Sequence, residues 1–272
     1  MSRPWSAPPR NYLNLESQRL AQAYIAARFA AAGLEVRRQE FLVEDVPYAN
    51  IVGVLNPEKP RIAVIGAHYD VCDRTPGADD NASGVAGLLE LAALLAAKRD
   101  SIPEQIQFVA YANEEPPHYA TEDMGSFVHA KALHEAGAEV AYMISLEMLG
   151  YYSDAAGSQE YPAGFLKWFY PTRGNFIAVV SDLGWGGLRR RVRNAIAGHS
   201  AIPCRSLGAP KALVGVDFSD HRNYWAFGFD AVMVTDTAFL RNPNYHRLSD
   251  TPETLDYRRM AEVVKGLAGL YP

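Results

Sequence analysis

RIAVIGAHYDVCDRTPGADDNASGVAGLLELAALLAAK, residues 61–98, is the stretch from which the fold can be read. It opens with Arg61–Ala67, a β-rich apolar run that stops beside His68. A turn of Gly, Ala, Asp and Asn follows, and then Ser83–Lys98, whose Leu and Ala content predicts a helix. Beyond a proline-containing loop lies a second apolar strand, Ile106–Ala112. Strand, helix and strand in this order imply parallel pairing, because the helix carries the chain back along the sheet.

Upstream, Leu13–Ala32 predicts an amphipathic helix ending at Gly33, with Leu13, Leu20, Tyr24, Ala27 and Ala31 on one stripe. Glu35–Val43 and Ala49–Leu55 are short β-rich runs, the second joined to Arg61–Ala67 through the turn region at Asn56 and Pro57. An early antiparallel portion of the sheet is expected from them. Downstream, helices are expected at Gly125–Glu135, Gly187–Ala197, near His221–Phe227 and at Asp256–Leu270, with strands at Ala141–Glu147, Phe176–Ser181 and Ala231–Thr235. The expectation is one α/β domain over residues 1–272, three layers deep, with a mostly parallel mixed sheet and helices on both faces.

With 49% apolar and 21% charged residues the chain has the composition of a globular protein able to build a sizeable core. Twenty-six basic against 31 acidic residues leave a net charge of −5. The one basic cluster, Arg189, Arg190, Arg191 and Arg193, falls on a predicted helix and reads as a solvated face, so no nucleic-acid partner is expected. The start, MSRPWSAPPRNYLNLESQRL, has no uninterrupted apolar core of a secretory signal, and nowhere do eighteen apolar residues run together. A cytoplasmic protein without a membrane partner is expected. Cys72 and Cys204 are too few for a disulfide framework or a thiolate zinc site and read as buried free thiols, with a single bridge as the alternative.

In open α/β sheets ligands bind beyond the carboxyl ends of the strands, and there the acidic and histidine residues gather. His68 leaves a strand, and Asp70, two residues on, could fix its tautomer by a hydrogen bond to the far ring nitrogen. Asp80 lies in the turn before the Ser83 helix, where a carboxylate could bridge two ions; the alternative for Asp79, Asp80 and Asn81 is helix capping. Glu114 and Glu115 follow a strand and precede Pro116 and Pro117. Adjacent carboxylates repel, which makes sense if a cation neutralises one and the other works as a base; a solvated surface pair is the alternative. Glu147 ends another apolar run and must be exposed at the sheet's end or paired, and His246 completes the set.

The motifs AHYD, GADDNASG, NEE, SLEM and YH, spread in this order over residues 67–246, resemble those of the co-catalytic zinc exopeptidases, a family that includes bacterial zinc aminopeptidases, glutamate carboxypeptidase and glutaminyl cyclases. The segments NYLNLESQRLAQAYIAARFAAAGLEV and SDTPETLDYRRMAEVV look similar too. The resemblance implies two Zn2+ ions, one ligated by His68 and Glu147, the other by Glu115 and His246, with Asp80 bridging them. It implies Glu114 as general base, Asp70 orienting His68, and Tyr245 hydrogen-bonding an oxyanion. Ser219, Asp220 and His221 match a segment that these enzymes carry beside the site. Glu147 departs from the aspartate of several aminopeptidases, and His118 after the NEEPP turn could face substrate, its alternative being an exposed loop residue. His129, His134 and His199 read as structural or solvated. The resemblance implies a peptide substrate and, since no inserted domain is evident in the chain, an aminopeptidase rather than a carboxypeptidase. Its rivals are a glutaminyl cyclase and a non-catalytic binding domain.

Overall fold

In a computed structural model that describes residues 9–272, the apolar strands Arg61–His68 (β3), Gln105–Tyr111 (β4) and Glu139–Glu147 (β5) lie side by side at the centre of one eight-stranded sheet. Around them stand Glu35–Val43 (β1), Val46–Leu55 (β2), Ile177–Ser181 (β6), Cys204–Gly208 (β7) and Ala231–Thr235 (β8), in the order β1, β2, β4, β3, β5, β8, β6, β7. Residues 1–8, with the start of the stretch read for a leader, fall outside the described residues. The pairings of β3 with β4 and β5, of β5 with β8 and of β6 with β7 are parallel. Those of β1 with β2, β2 with β4 and β6 with β8 are antiparallel. The sheet is therefore mixed, with a parallel centre. No helix of the described residues is long and apolar enough to cross a membrane.

Both faces are covered, which is why the central strands are apolar at successive positions rather than at alternate ones. Helices Leu15–Ala31 (α1), Gly84–Ala96 (α2), Gly186–His199 (α4) and Tyr257–Ala268 (α6) close one core around Phe29, Ile65, Leu88, Phe108 and Ile196. Helices Gly125–Glu135 (α3) and His221–Ala226 (α5) close the other around Val64, Val109, Tyr111, Leu133 and Tyr224. The chain thus leaves β3 over one face and β4 over the other. Their carboxyl ends diverge into a crevice.

Two expectations need correction, and one strand was not expected. The Asn56 turn does follow β2, but β2 pairs with β1 and β4, and β4 stands between β2 and β3. The apolar stripe of α1 faces outward, with Leu13, Leu20 and Tyr24 all at least half exposed, while Ser17, Gln18, Gln22, Ile25 and Phe29 are buried. Burial of the glutamines is eased by hydrogen bonds, at both ends of the Gln22 amide and at the nitrogen of Gln18. Gln18 donates to the Asn11 carbonyl (3.1 Å), and Gln22 donates to the Tyr69 hydroxyl (2.6 Å) while accepting from Arg38 (2.8 Å). Strand β7, CRSLG, carries too little β signal to be recognised from sequence.

Candidate metal centre

His68 is the last residue of β3 and Glu147 the last of β5, while Glu114 and Glu115 follow just beyond β4. His246 comes from the loop between β8 and α6. All except His246 are less than a tenth exposed. At the middle lies the Asp80 carboxylate. Its Oδ1 is 3.4 Å from His68 Nε2, and its Oδ2 is 3.1 Å from His246 Nε2. Glu147 Oε2 stands 3.4 Å from His68 Nε2, and Glu115 Oε2 stands 3.3 Å from His246 Nε2. Glu114 Oε2 is farther, 3.9 Å from His68 Nε2.

The turn Ala78–Ser83 presents Asp80 because its neighbours are tied to other elements. Asn81 donates to the Leu146 carbonyl (2.9 Å) and accepts from the Met148 amide (3.0 Å) at the end of β5. It also accepts from Gly84 N (3.1 Å), so helix capping, the alternative reading of this turn, is the task of Asn81 and leaves Asp80 free. Asp79 accepts from Gly150 N (2.8 Å) and from Asn242 (2.7 Å). Asp250 accepts from the amides of Asp79 (2.9 Å) and Asp80 (3.1 Å). Asn242 and Asp250 flank His246, so the same two contacts that fix the turn also bring His246 to it.

Upstream of the turn, Arg10 donates to the carbonyls of Tyr69 (2.9 Å), Pro76 (3.3 Å) and Gly77 (3.1 Å), clamping the loop after β3. Gly77 has φ of +60°, and a Cβ there would meet Val71 at 2.2 Å and the Asp80 carbonyl at 2.4 Å. Three non-glycine residues at the site share the left-handed backbone: Asn113 (+60°), Met148 (+52°) and His246 itself (+54°). Such conformations cost ~1–3 kcal/mol each and persist where the surroundings dictate them, often at functional sites.

Asp70 uses both oxygens at once, accepting from the amides of Glu114 (3.1 Å) and Glu115 (3.1 Å), while its Oδ1 lies 3.4 Å from His68 Nδ1. Glu147, whose arm is one methylene longer than aspartate's, accepts from Ser219 Oγ (2.8 Å), which also meets Ser145 Oγ (2.7 Å). The Tyr245 ring stacks on His246 at 3.8 Å. Asp80, Glu114, Glu115, Tyr119, Glu147, Phe218, Tyr245 and His246 line one cleft. Sharing Glu147 and Phe218 with it is an apolar cavity walled by Leu166, Phe176, Val180, Val216, Met233 and Phe239.

Electrostatics follow from burying carboxylates together. Burial pushes Glu115 up to about 8, with Asp80 adding to the shift. Burial likewise raises Glu114 well above the usual carboxylate range, helped by Glu147 and Glu115. Asp80 goes the other way: burial opposes its charge, but His246 and His68 on either side outweigh this and hold it low. Burial also opposes charge on His246, yet Asp80 and Glu115 raise it to about 10. This concentration of acid is what a cation site looks like before the cation is counted.

Some candidates lie elsewhere. His118 is half-buried with its ring edge-on to Tyr12 (5.5 Å) and Tyr48 (5.8 Å), and is not among the residues lining the cleft, which leaves neither the substrate-facing nor the exposed-loop reading intact. His129 is buried against the Tyr224 hydroxyl (2.6 Å), His134 packs on Phe227, and His199 bonds the Ala195 carbonyl. Arg190, Arg191 and Arg193 are exposed as read, although Arg189 reaches Ser181 (2.7 Å) and Arg191 covers the Tyr142 ring. Both cysteines are free; Cys204 is buried but Cys72 is only half-buried and borders the centre. Sequence reasoning gave no role to Arg10, Asn242, Asp250 or Cys72. Their partners are distant in sequence and leave no local spacing to read.

A mixed α/β sheet with an acidic, histidine-bearing crevice at its carboxyl edge defines the class, and the comparisons define the family. The model of peptidase family M28 matches residues 50–182, which hold His68, Asp80, Glu114, Glu115 and Glu147. This chain belongs to peptidase family M28. It is 44% identical over 271 residues to the uncharacterised protein YfbL of Escherichia coli (strain K12), covering 96% of this chain and 82% of that one. It is 28% identical over 234 residues to a probable leucine aminopeptidase 1 of Trichophyton verrucosum, covering 81% of this chain and 56% of that protein. The chain therefore spans little more than half the length of that relative. Among solved structures, the Legionella pneumophila LapA aminopeptidase matches with a TM-score of 0.73 at 21% identity, over 94% of this chain and 65% of that one. A glutaminyl cyclase of Bacteroides thetaiotaomicron matches with a TM-score of 0.70 at 19% identity, over 97% and 91%. At such identities the structural likeness establishes the fold.

Proposed function

We propose that this chain is a two-zinc aminopeptidase that removes apolar residues from the amino ends of peptides. The observation that carries the reading is the Asp80 carboxylate set between two imidazoles, each with a further carboxylate beside it. The donor set fits zinc: imidazole and carboxylate are its ligands, five carboxyl groups crowd the site, and the buried Glu115 Oε1 has no hydrogen-bond partner among the described residues. In this reading His68 and Glu147 would hold one ion, Glu115 and His246 the other, and Asp80 would serve both. Zinc held there would supply Lewis acidity, lowering the pKa of a bound water to ~7 and polarising a carbonyl.

The protein's own groups do the rest. Asp70 aligns the amides of Glu114 and Glu115 and faces His68, so that one carboxylate orients a ligand of each ion and the base between them. Glu114, the carboxylate left outside the ligand set, takes a proton from water at its carboxylate oxygen and passes it to the leaving amine, a role worth ~100- to 10,000-fold. Tyr245, held against His246, has its hydroxyl available to the oxygen of the tetrahedral intermediate.

One feature supports an amino end over a carboxyl end, and another bears on the side chain. Among the described residues lining the cleft none is a lysine or arginine that could pair with a substrate carboxylate, whereas Glu114, outside the ligand set, could face an α-ammonium. The adjoining apolar cavity suits an aliphatic or aromatic first side chain. Hydrolysis of leucyl p-nitroanilide and of its N-acetylated form by the zinc-loaded protein tests this. The free amine should be cleaved and the acetylated form left intact, with a chelator abolishing the reaction. Equal cleavage of both, or no hydrolysis with cyclisation of a glutaminyl peptide in its place, would contradict it.

A further inference from the structure

The centre has a neighbour that neither the motifs nor the proposed mechanism uses. Cys72 lies on the loop after β3, and its sulfur, one Glu115 oxygen and one His246 ring nitrogen all fall within 4.8 Å of one another. The thiol is free and half-buried. Its loop is held in place: the Cys72 carbonyl accepts from Thr75 N (3.1 Å) and Thr75 Oγ1 (2.7 Å), and Arg10 clamps both sides of the loop. A second observation points to a ligand here. The Glu115 side chain is only 5% exposed, its Oε2 faces His246, and its Oε1 has no hydrogen-bond partner among the described residues. A buried carboxylate oxygen left bare is costly unless a cation completes it.

We propose that Cys72 Sγ is a further ligand of the ion assigned above to Glu115 and His246, giving that position an oxygen, nitrogen and sulfur donor set. The inference rests on the two-ion reading. Sulfur and nitrogen donors on a common zinc lie roughly 3.5 Å apart, given bonds of ~2.3 and ~2.0 Å, so the three groups need only side-chain adjustment to share one ion. Coordination forms the sulfur–metal bond and releases the thiol proton to solvent. A thiolate shifts preference toward soft cations, so this position should favour Zn2+ or Cd2+ over Mn2+ or Mg2+, while the His68 and Glu147 position, which has no sulfur, should discriminate less.

Cobalt substitution reads the ligand directly, because thiolate bound to Co2+ gives an intense near-ultraviolet charge-transfer band that nitrogen and oxygen donors do not. Metal-free protein titrated with Co2+ should take up two ions per chain, with the band growing in step with one of them. Cys204→Ser, in which Cys72 is the only thiol, should keep the band. Cys72→Ser should still take up two ions, should lose the band, and should bind one of the ions at least ~10-fold more weakly, the scale on which even outer-shell ligand partners act. Uptake of two ions by the unaltered protein without the band would overturn the role of Cys72 and leave the two-ion reading standing. Failure to take up a second ion would overturn both.

Discussion

Asp70 shows how much one side chain can organise. Both of its oxygens accept main-chain amides from the two glutamates, and the same carboxylate faces His68. In Asp70→Asn an NH2 group would confront one of those amides, donor against donor. The variant should bind zinc ~10- to 100-fold more weakly in a chelator competition. Affinity within twofold of the unaltered protein would show that Asp70 does not set the ligands. Glu114→Gln should behave in the opposite way, keeping metal affinity while turnover falls ~100- to 10,000-fold. Substantial activity in that variant would remove Glu114 from the role of base. His68, Asp80, Glu115 and Glu147 were legible because each lies next to a strand end or in a turn rich in acid, whereas His246, in the loop between β8 and α6, was marked only by the resemblance. Asn242 and Asp250 were not, since what marks them is a partner in the Asp79–Asp80 turn, and only folding brings the two together.

At the scale of elements, α1 separates propensity from packing. Its helical period was readable, but its buried face was not, because Gln18 and Gln22 find partners inside while Leu20 and Tyr24 remain outside. Leu20→Ser should therefore change stability by no more than ~0.5 kcal/mol, while Phe29→Ala, fully buried, should cost ~3–5 kcal/mol in urea unfolding. Comparable losses in the two variants would reverse the assignment of the faces. The junction of the Asp80 turn with α2 offers a sharper test. A Cβ at Gly84 would sit 2.2 Å from Asn81 Oδ1 and 2.5 Å from the Leu146 carbonyl. Gly84→Ala should cost ~1–3 kcal/mol and also weaken metal binding, because Asn81 must move and Asp80 adjoins it. The central strands were legible as apolar runs, whereas β7 lies at the sheet's edge, where polar residues suffice.

Across the whole molecule, the buried helix histidines and the metal-free centre contribute different pH dependences. His129 and His221, on the buried sides of α3 and α5, are both pushed down to about 4 by loss of solvation. In the unfolded chain they titrate near 6.5. Between those values the unfolded chain binds more protons, so stability falls as pH drops from 6.5 to 4, by about 3 kcal/mol for each histidine. His129→Gln should flatten that decline in unfolding curves taken across the window; an unchanged slope would show that His129 is not its source. The metal-free centre has the opposite sign on the alkaline side. His246, raised to about 10, contributes stability that is full below 6.5 and is lost as pH climbs through 10. Zinc should replace that contribution, raising the unfolding temperature as its concentration exceeds the dissociation constant. The most direct test of the central claim is a zinc titration of metal-free protein that follows bound metal and leucyl p-nitroanilide hydrolysis in the same samples. The account predicts two zinc ions per chain, activity that reaches its maximum as the second binds, and the same two ions with ~100- to 10,000-fold lower turnover in Glu114→Gln. Saturation at one ion, or two bound ions with no hydrolysis by the unaltered protein, would contradict it.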